Sequence, residues 1–169
     1  MAVDTACSSG LVASHLANRA LDRNECYFGL AAGANIVFSA ASCAKMARAG
    51  MTSRLGRSHT FDCRADGFAR GEACVAVGLQ QLNAVASASH GILRGVAVRQ
   101  DGKSVSVTAP NGLAQHALLL AAIPEARRTP PDTAALEAHE TGAPLGGARA
   151  VRELNPGSVP GGKGTHEPT

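Results

Sequence analysis

Apolar positions fall into short blocks separated by Gly-, Ser- and Asp-rich punctuation, and the blocks alternate between helical and strand-like spacing. Residues 11–21 carry Leu11, Leu16 and Leu21 among small side chains with few charges, which predicts a helix buried on most of its surface. Asp4 or Thr5 is placed to cap its start. Residues 27–32 and 35–39 read as short strands split by Gly33. Residues 40–49 read as a helix that Gly50 ends. Residues 54–70, rich in Gly, Asp, Arg and Ser, read as a loop. Residues 73–82 are apolar with β-branched Val75 and Val77, the pattern of a buried strand. Residues 93–99 form a further strand candidate before the turn signal Asp101-Gly102. Residues 114–123 read as a helix stopping before Pro124. A short apolar strand-like segment, 134–139, then runs into a Gly-rich loop at 139–147.

Alternating strands and helices predict a layered α/β fold over residues 1–154. Residues 155–169 hold three Pro and four Gly with almost nothing apolar, so a disordered tail is expected there.

Composition narrows the class. The 169 residues are one domain's worth of chain, and at 45% hydrophobic and 17% charged they have the means to bury a core. With aromatics at 3%, that core must be built from Ala, Val, Leu and Ile. A net charge of +3 without a Lys/Arg block gives no basis for nucleic-acid binding. The five cysteines, Cys7, Cys26, Cys43, Cys63 and Cys74, contain no C-x-x-C pair and read as free thiols of a reducing compartment such as the cytoplasm. No signal-peptide pattern is seen, and the longest apolar run, 117–123, is far short of the ~20 residues of a membrane span.

Two residues invite a chemical reading. Cys7 stands at the start of a predicted helix, whose positive end favours a thiolate, the form that attacks thioesters. The N–H groups there are also suited to hold an oxyanion. His139 closes a strand-like segment, a usual place for a proton carrier. On local pattern alone a structural Cys and a surface His stay open beside these readings. No metal site is expected: His139-Glu140 lacks the second His of a zinc-protease motif, since Ala143 stands there. No phosphate-binding Gly loop is present.

Five segments in register resemble one family. Val3-Asp4-Thr5-Ala6-Cys7-Ser8-Ser9 is similar to the nucleophile motif of β-ketoacyl synthases, especially the ketosynthase domains of type I polyketide synthases. The run from Thr60-Phe61-Asp62-Cys63-Arg64 through Ala69-Arg70-Gly71-Glu72 resembles that family's long loop and following strand. Gln100-Asp101-Gly102-Lys103, Thr108-Ala109-Pro110-Asn111-Gly112, and Glu137-Ala138-His139 with Thr141-Gly142 and Pro144-Leu145-Gly146 resemble three more of its signatures.

The resemblance implies a thiolase-like layered fold, present here in part, because complete domains of the family are more than twice as long. It implies decarboxylative Claisen condensation in polyketide or fatty acid synthesis. Cys7 would take the acyl group, His139 would assist decarboxylation or stabilise the enolate, and Thr141 would contact the phosphopantetheine arm of the substrate. No bound cofactor is implied; an acyl carrier protein would bring the acyl and malonyl-type thioesters, and complete relatives are homodimers. The tail 157–169 resembles the family's Lys- and second-His-bearing motif, with Pro160 at the Lys position, Thr165 at the His position and His166 one place later as the candidate. These departures, with Ala143 in the first His loop, set a second expectation: a truncated, non-catalytic ketosynthase remnant acting at most as a binding module.

Overall fold

The computed structural model describes residues 1–59, 62–82, 89–103 and 111–129, together with residues 134, 135, 137 and 139. Helix α1 (Ser9–Asp22) leads into strand β1 (Phe28–Asn35), helix α2 (Ala40–Arg48), strand β2 (Ala73–Gln80) and helix α3 (Gly112–Glu125). The two strands pair antiparallel, from Phe28 opposite Gln80 to Asn35 opposite Ala73.

Alternation along β1 decides which side α1 covers. Gly29 and Ala31 point at the helix and are buried, while Phe28 and Leu30 point the other way and are exposed. Gly29 suits this approach, since a Cβ there would lie 3.1 Å from the Ala17 Cβ and the helix would have to give by a few tenths of an ångström. The packed centre is small: Leu21 and Ala31, at 4% and 6% exposure, are the buried hydrophobic residues among those described. Gln81 fastens the far end of α1, its amide donating to the Leu21 carbonyl at 2.6 Å and to Asn24 Oδ1 at 3.0 Å.

Two expectations of burial are corrected. Leu11 is 73% exposed, so α1 is not buried on most of its surface; among the described residues it is covered chiefly by β1. Strand β2 is likewise not buried, with Val75 at 60% and Val77 at 49% exposure. Both residues share the α1 side of the sheet, but the helix lies chiefly over β1 and leaves β2 open.

The expected break at Gly33 is absent: β1 runs straight through it, with Gly33 opposite Val75. Residues 36–39 do not form the second strand. The Val37 N–H is taken by the Glu72 carboxylate, and the Asn35 amide donates to the Gly71 carbonyl, so side chains occupy the groups a ladder would use. Residues 93–99 run without a ladder partner among the described residues. They are held instead against the end of α3, where a Cβ on Gly95 would meet Ala126 N at 2.7 Å and Ala122 O at 2.8 Å. Glu125 bridges this junction, accepting from the Val96 N–H at 3.0 Å and pairing with Arg19 of α1. His15 on the same face of α1 donates from Nδ1 to the Val96 carbonyl at 3.2 Å.

All three helices end in the same hydrogen-bond pattern. A residue at positive φ follows the last turn: Asn24 (57°), Gly50 (67°) and Arg127 (53°). The next N–H then reaches back into the helix, Glu25 to Ala20 at 2.9 Å, Met51 to Met46 at 3.1 Å and Arg128 to Ile123 at 3.2 Å. Gly50 ends α2 as its residue type predicts. Helix α3 does not stop before Pro124 but carries it in the last turn. There the missing N–H forfeits one bond, and the Ala126 N–H restores the ladder to Ala122 O at 3.0 Å.

The described part of the loop expected at 54–70 is tied at its base to residues 51–53. Thr52 bridges to Phe68, with Ser53 N–H donating to Phe68 O and Phe68 N–H to Met51 O, each at 3.0 Å. Gly67, at φ 130°, makes the approach possible, because a Cβ there would sit 2.6 Å from the Thr52 carbonyl carbon. Residues 140–169, with the Gly-rich loop and the predicted tail, lie outside the described residues.

Candidate functional site

The segment Asp4-Thr5-Ala6-Cys7-Ser8-Ser9 turns sharply into α1 through a single 3₁₀ turn, Ala6–Ser8. Ala6 is left-handed, at φ 55°, a conformation that costs an L-residue with a Cβ about 1–2 kcal/mol. Side chains on either side hold it there. The Asp4 carboxylate accepts from the Ala6 N–H at 3.0 Å. Ser9 Oγ accepts from the Thr5 N–H at 2.9 Å and donates to the Ala6 carbonyl at 2.7 Å. The Ser8 hydroxyl is close to both the Thr5 carbonyl, at 3.0 Å, and Thr5 Oγ1, at 2.9 Å.

The expected cap is therefore replaced. Neither Thr5 nor Ser8 makes a side-chain cap bond, and Asp4 serves the backbone two residues on instead of the helix start. The residue that pattern reading passed over is Ser9. Its signal was the paired Ser8-Ser9 directly after the Cys, at the point where the helical spacing begins.

Cys7 occupies the centre of this turn. It is exposed and free, as Cys63 and Cys74 are; Cys26 and Cys43 are half-buried free thiols. Its side chain makes no hydrogen bond among the described residues, and the first turn of α1 carries no acidic residue to oppose a thiolate. The geometry suits a nucleophile: an accessible sulfur, a rigid backbone under it and a helix start beside it.

His139 is described and exposed, and no hydrogen bond or ion pair joins it to Cys7. Thr141 and His166 lie outside the described residues. Among the described residues no group of three His, Cys, Asp or Glu side chains is gathered to hold a metal ion. No helix among them is long and apolar enough to cross a membrane.

The loop before β2 contributes charge rather than a reacting group. The Arg64 guanidinium, then its N–H, hold the Asp62 carboxyl well below the usual carboxylate range, and the same pairing raises Arg64. The Ser53 hydroxyl, with the Arg54 N–H at 3.0 Å, lowers Asp66 in the same way. Arg70 donates to Cys43 Sγ at 3.1 Å, which ties the end of the loop to α2.

Comparison with known proteins gives this arrangement its relatives. The family described as β-ketoacyl synthase, N-terminal domain, matches residues 1–84, and its C-terminal domain matches residues 90–155. Polyketide synthase ThaG of Burkholderia thailandensis is 48% identical over 149 residues, covering 86% of this chain and 3% of that protein. A phenolphthiocerol/phthiocerol polyketide synthase of Mycobacterium tuberculosis is 46% identical over 147 residues, 85% of this chain and 7% of its own length. Among solved structures, the ketosynthase from module 6 of the bacillaene synthase of Bacillus subtilis superposes with a TM-score of 0.86 at 33% identity, over 91% of this chain and 28% of that one. The oxazolomycin ketosynthase domain OzmH KS7 of Streptomyces albus superposes with the same score and identity, over 27% of its length. The chain thus spans little more than a quarter of a solved ketosynthase, with the thiolase-like fold present in part. Two family segments in order, close sequence relatives and matching backbones agree: the chain belongs to the β-ketoacyl synthase family, as part of a ketosynthase domain of the polyketide synthase kind.

Proposed function

We propose that this chain carries the acyl-accepting half-site of a ketosynthase, with Cys7 as the nucleophile. The observation that carries the reading is the left-handed turn at Ala6, which presents an exposed Cys7 at the start of α1 within the family's own motif. In the first step the Cys7 thiolate attacks an acyl thioester carried on the phosphopantetheine of an acyl carrier protein. The carrier thiol leaves and the acyl group stays on Sγ. In the second step a malonyl-type thioester loses carbon dioxide, and its carbanion attacks the acyl-Cys7 carbonyl. The Cys7 thiolate leaves and a 3-oxoacyl thioester remains on the carrier. His139 is assigned to the decarboxylation or to the enolate oxygen, Thr141 to the phosphopantetheine arm, and His166 to the second histidine position.

A second reading belongs to the isolated chain. Pro160 and Thr165 stand where the family's Lys and second His are expected, and His139 has no link to Cys7. These support acyl capture or carrier binding without turnover. The test is to incubate the purified 169-residue chain with an acyl-pantetheine thioester and map the adduct by mass spectrometry. One acyl group on Cys7, absent in Cys7→Ala, is the expected result, and no acylation at Cys7 overturns the nucleophile assignment. Adding malonyl-pantetheine should give little or no 3-oxoacyl product; robust Cys7-dependent condensation would show instead that this chain is a sufficient catalyst.

A further inference from the structure

The Ser9 side chain has a task that the reaction above does not name. We infer that Ser9 is the positioning residue of the nucleophile turn: its hydroxyl locks Ala6 in the left-handed conformation and so sets the direction of Cys7. The inference rests on Cys7 being the nucleophile.

The hydrogen bonds carry it. Ser9 Oγ touches both sides of the strained residue, accepting from the Thr5 N–H before it at 2.9 Å and donating to the Ala6 carbonyl at 2.7 Å. Asp4 takes the Ala6 N–H at 3.0 Å, and the Thr5 carbonyl receives the Ser8 N–H at 3.4 Å. Every backbone polar group of Thr5 and Ala6 is therefore occupied by residues 4, 8 and 9. The N–H of Cys7 itself is left without an acceptor among the described residues.

Ala6 has no intrinsic reason to adopt positive φ, and its Cβ opposes it. Strain of this kind persists only where the surroundings over-determine it. Of the side chains in the turn, Ser9 alone bonds on both sides of Ala6. Asp4 makes one bond and Ser8 acts on the preceding carbonyl. If the hydroxyl is removed, Ala6 keeps the Asp4 bond on its N–H and the Ser9 backbone N–H on its carbonyl, but the link from Thr5 across it is lost; relaxation toward negative φ then turns the following peptide and swings Cys7 away from the helix start.

The test reads Cys7 directly, without requiring condensation. The full chain, Ser9→Ala and Ser9→Thr are labelled with iodoacetamide at neutral pH, and the rates at all five cysteines are followed by mass spectrometry. Ser9→Ala, which removes both hydroxyl bonds, is expected to slow Cys7 by at least about fivefold, the scale of one net hydrogen bond, while Cys26, Cys43, Cys63 and Cys74 keep their rates. Ser9→Thr, which retains the hydroxyl, is expected to restore Cys7. An unchanged Cys7 rate in Ser9→Ala overturns the inference, as does a change shared by all five cysteines or a Ser9→Thr chain as slow as Ser9→Ala. Acyl transfer separates this from the reading it rests on. Acylation of Cys7 that ignores Ser9 sinks the positioning role alone, whereas failure of acylation with Ser9-dependent alkylation sinks the nucleophile role alone.

Discussion

Among the described glycines, Gly67 is the position where one added atom meets the closest backbone. At φ 130°, with a Cβ 2.6 Å from the Thr52 carbonyl carbon, Gly67→Ala must both strain its own backbone and push apart the bridge between Thr52 and Phe68. A loss of about 2–3 kcal/mol in denaturant unfolding is expected. Asp62 and Asp66 set the acid limit of the same loop. Both carboxyls are lowered in the fold, by Arg64 and by Ser53 respectively, so their contribution is present above the ordinary carboxylate value near ~4 and is lost as pH falls below it. Carboxyl carbon NMR should show both titrating below the ordinary carboxylate range, with protection of the Arg54 N–H lost over the same acidic range. At this scale the family motif around Cys7 was legible in the sequence. The conformation of Ala6 was not, because alanine carries no mark of left-handedness and only the bonds from Asp4 and Ser9 impose it.

Helix ends are where residue type and geometry part company. Asn24 and Gly50 are natural occupants of a left-handed closing position, but Arg127 fills the same position on α3 with a full side chain. Arg127→Gly is therefore expected to stabilise the chain by about 1 kcal/mol, read as a higher denaturation midpoint with an unchanged slope. The start of α3 has the opposite character. Asn111 Oδ1 accepts from the Ala114 N–H at 3.3 Å, and its amide donates to the Asp101 carbonyl at 2.9 Å. Asn111→Ala should cost about 1 kcal/mol and raise hydrogen exchange in the first turn of α3. Helices α1 and α2 were readable because their small and apolar residues recur at helical spacing. The strand expected at 93–99 finds no ladder partner among the described residues, and a β-branched segment becomes a strand only when another backbone accepts its ladder.

Among the described residues, large apolar side chains stand exposed around a small core. Tyr27, Phe38 and Leu113 are 96%, 86% and 80% exposed, against the two buried hydrophobic residues Leu21 and Ala31. Surface of this kind is a site of association. The isolated chain is expected to bind an apolar dye such as ANS and to show concentration-dependent self-association in sedimentation. A dye-silent monomer at every concentration would contradict this. The tie between Arg19, Glu125 and Val96 matters here, since it joins the part matching the N-terminal family segment to the part matching the C-terminal one. Its side chains are partly exposed, at 40% and 28%, so the ion pair itself contributes at most about 1 kcal/mol. The backbone bond from Val96 to Glu125 gives the contact its register.

Local order and motif were enough for the alternation of helices and strands, the end of α2 at Gly50 and the family. These properties are short-range: periodicity, a cap, a run of seven residues around Cys7. Burial was not of that kind. The spacing of Leu11, Leu16 and Leu21 declares an apolar face, and that of Val75 and Val77 an apolar strand, but neither states how much partner will lie against it. Packing placed α1 chiefly over β1, buried Leu21 and left Leu11 and Val75 open, while hydrogen bonds within the turn set Ala6 against its own preference. The direction in which Cys7 faces follows from that turn, and it is a property of bonds among Asp4, Thr5, Ala6 and Ser9 rather than of the letter at position 7.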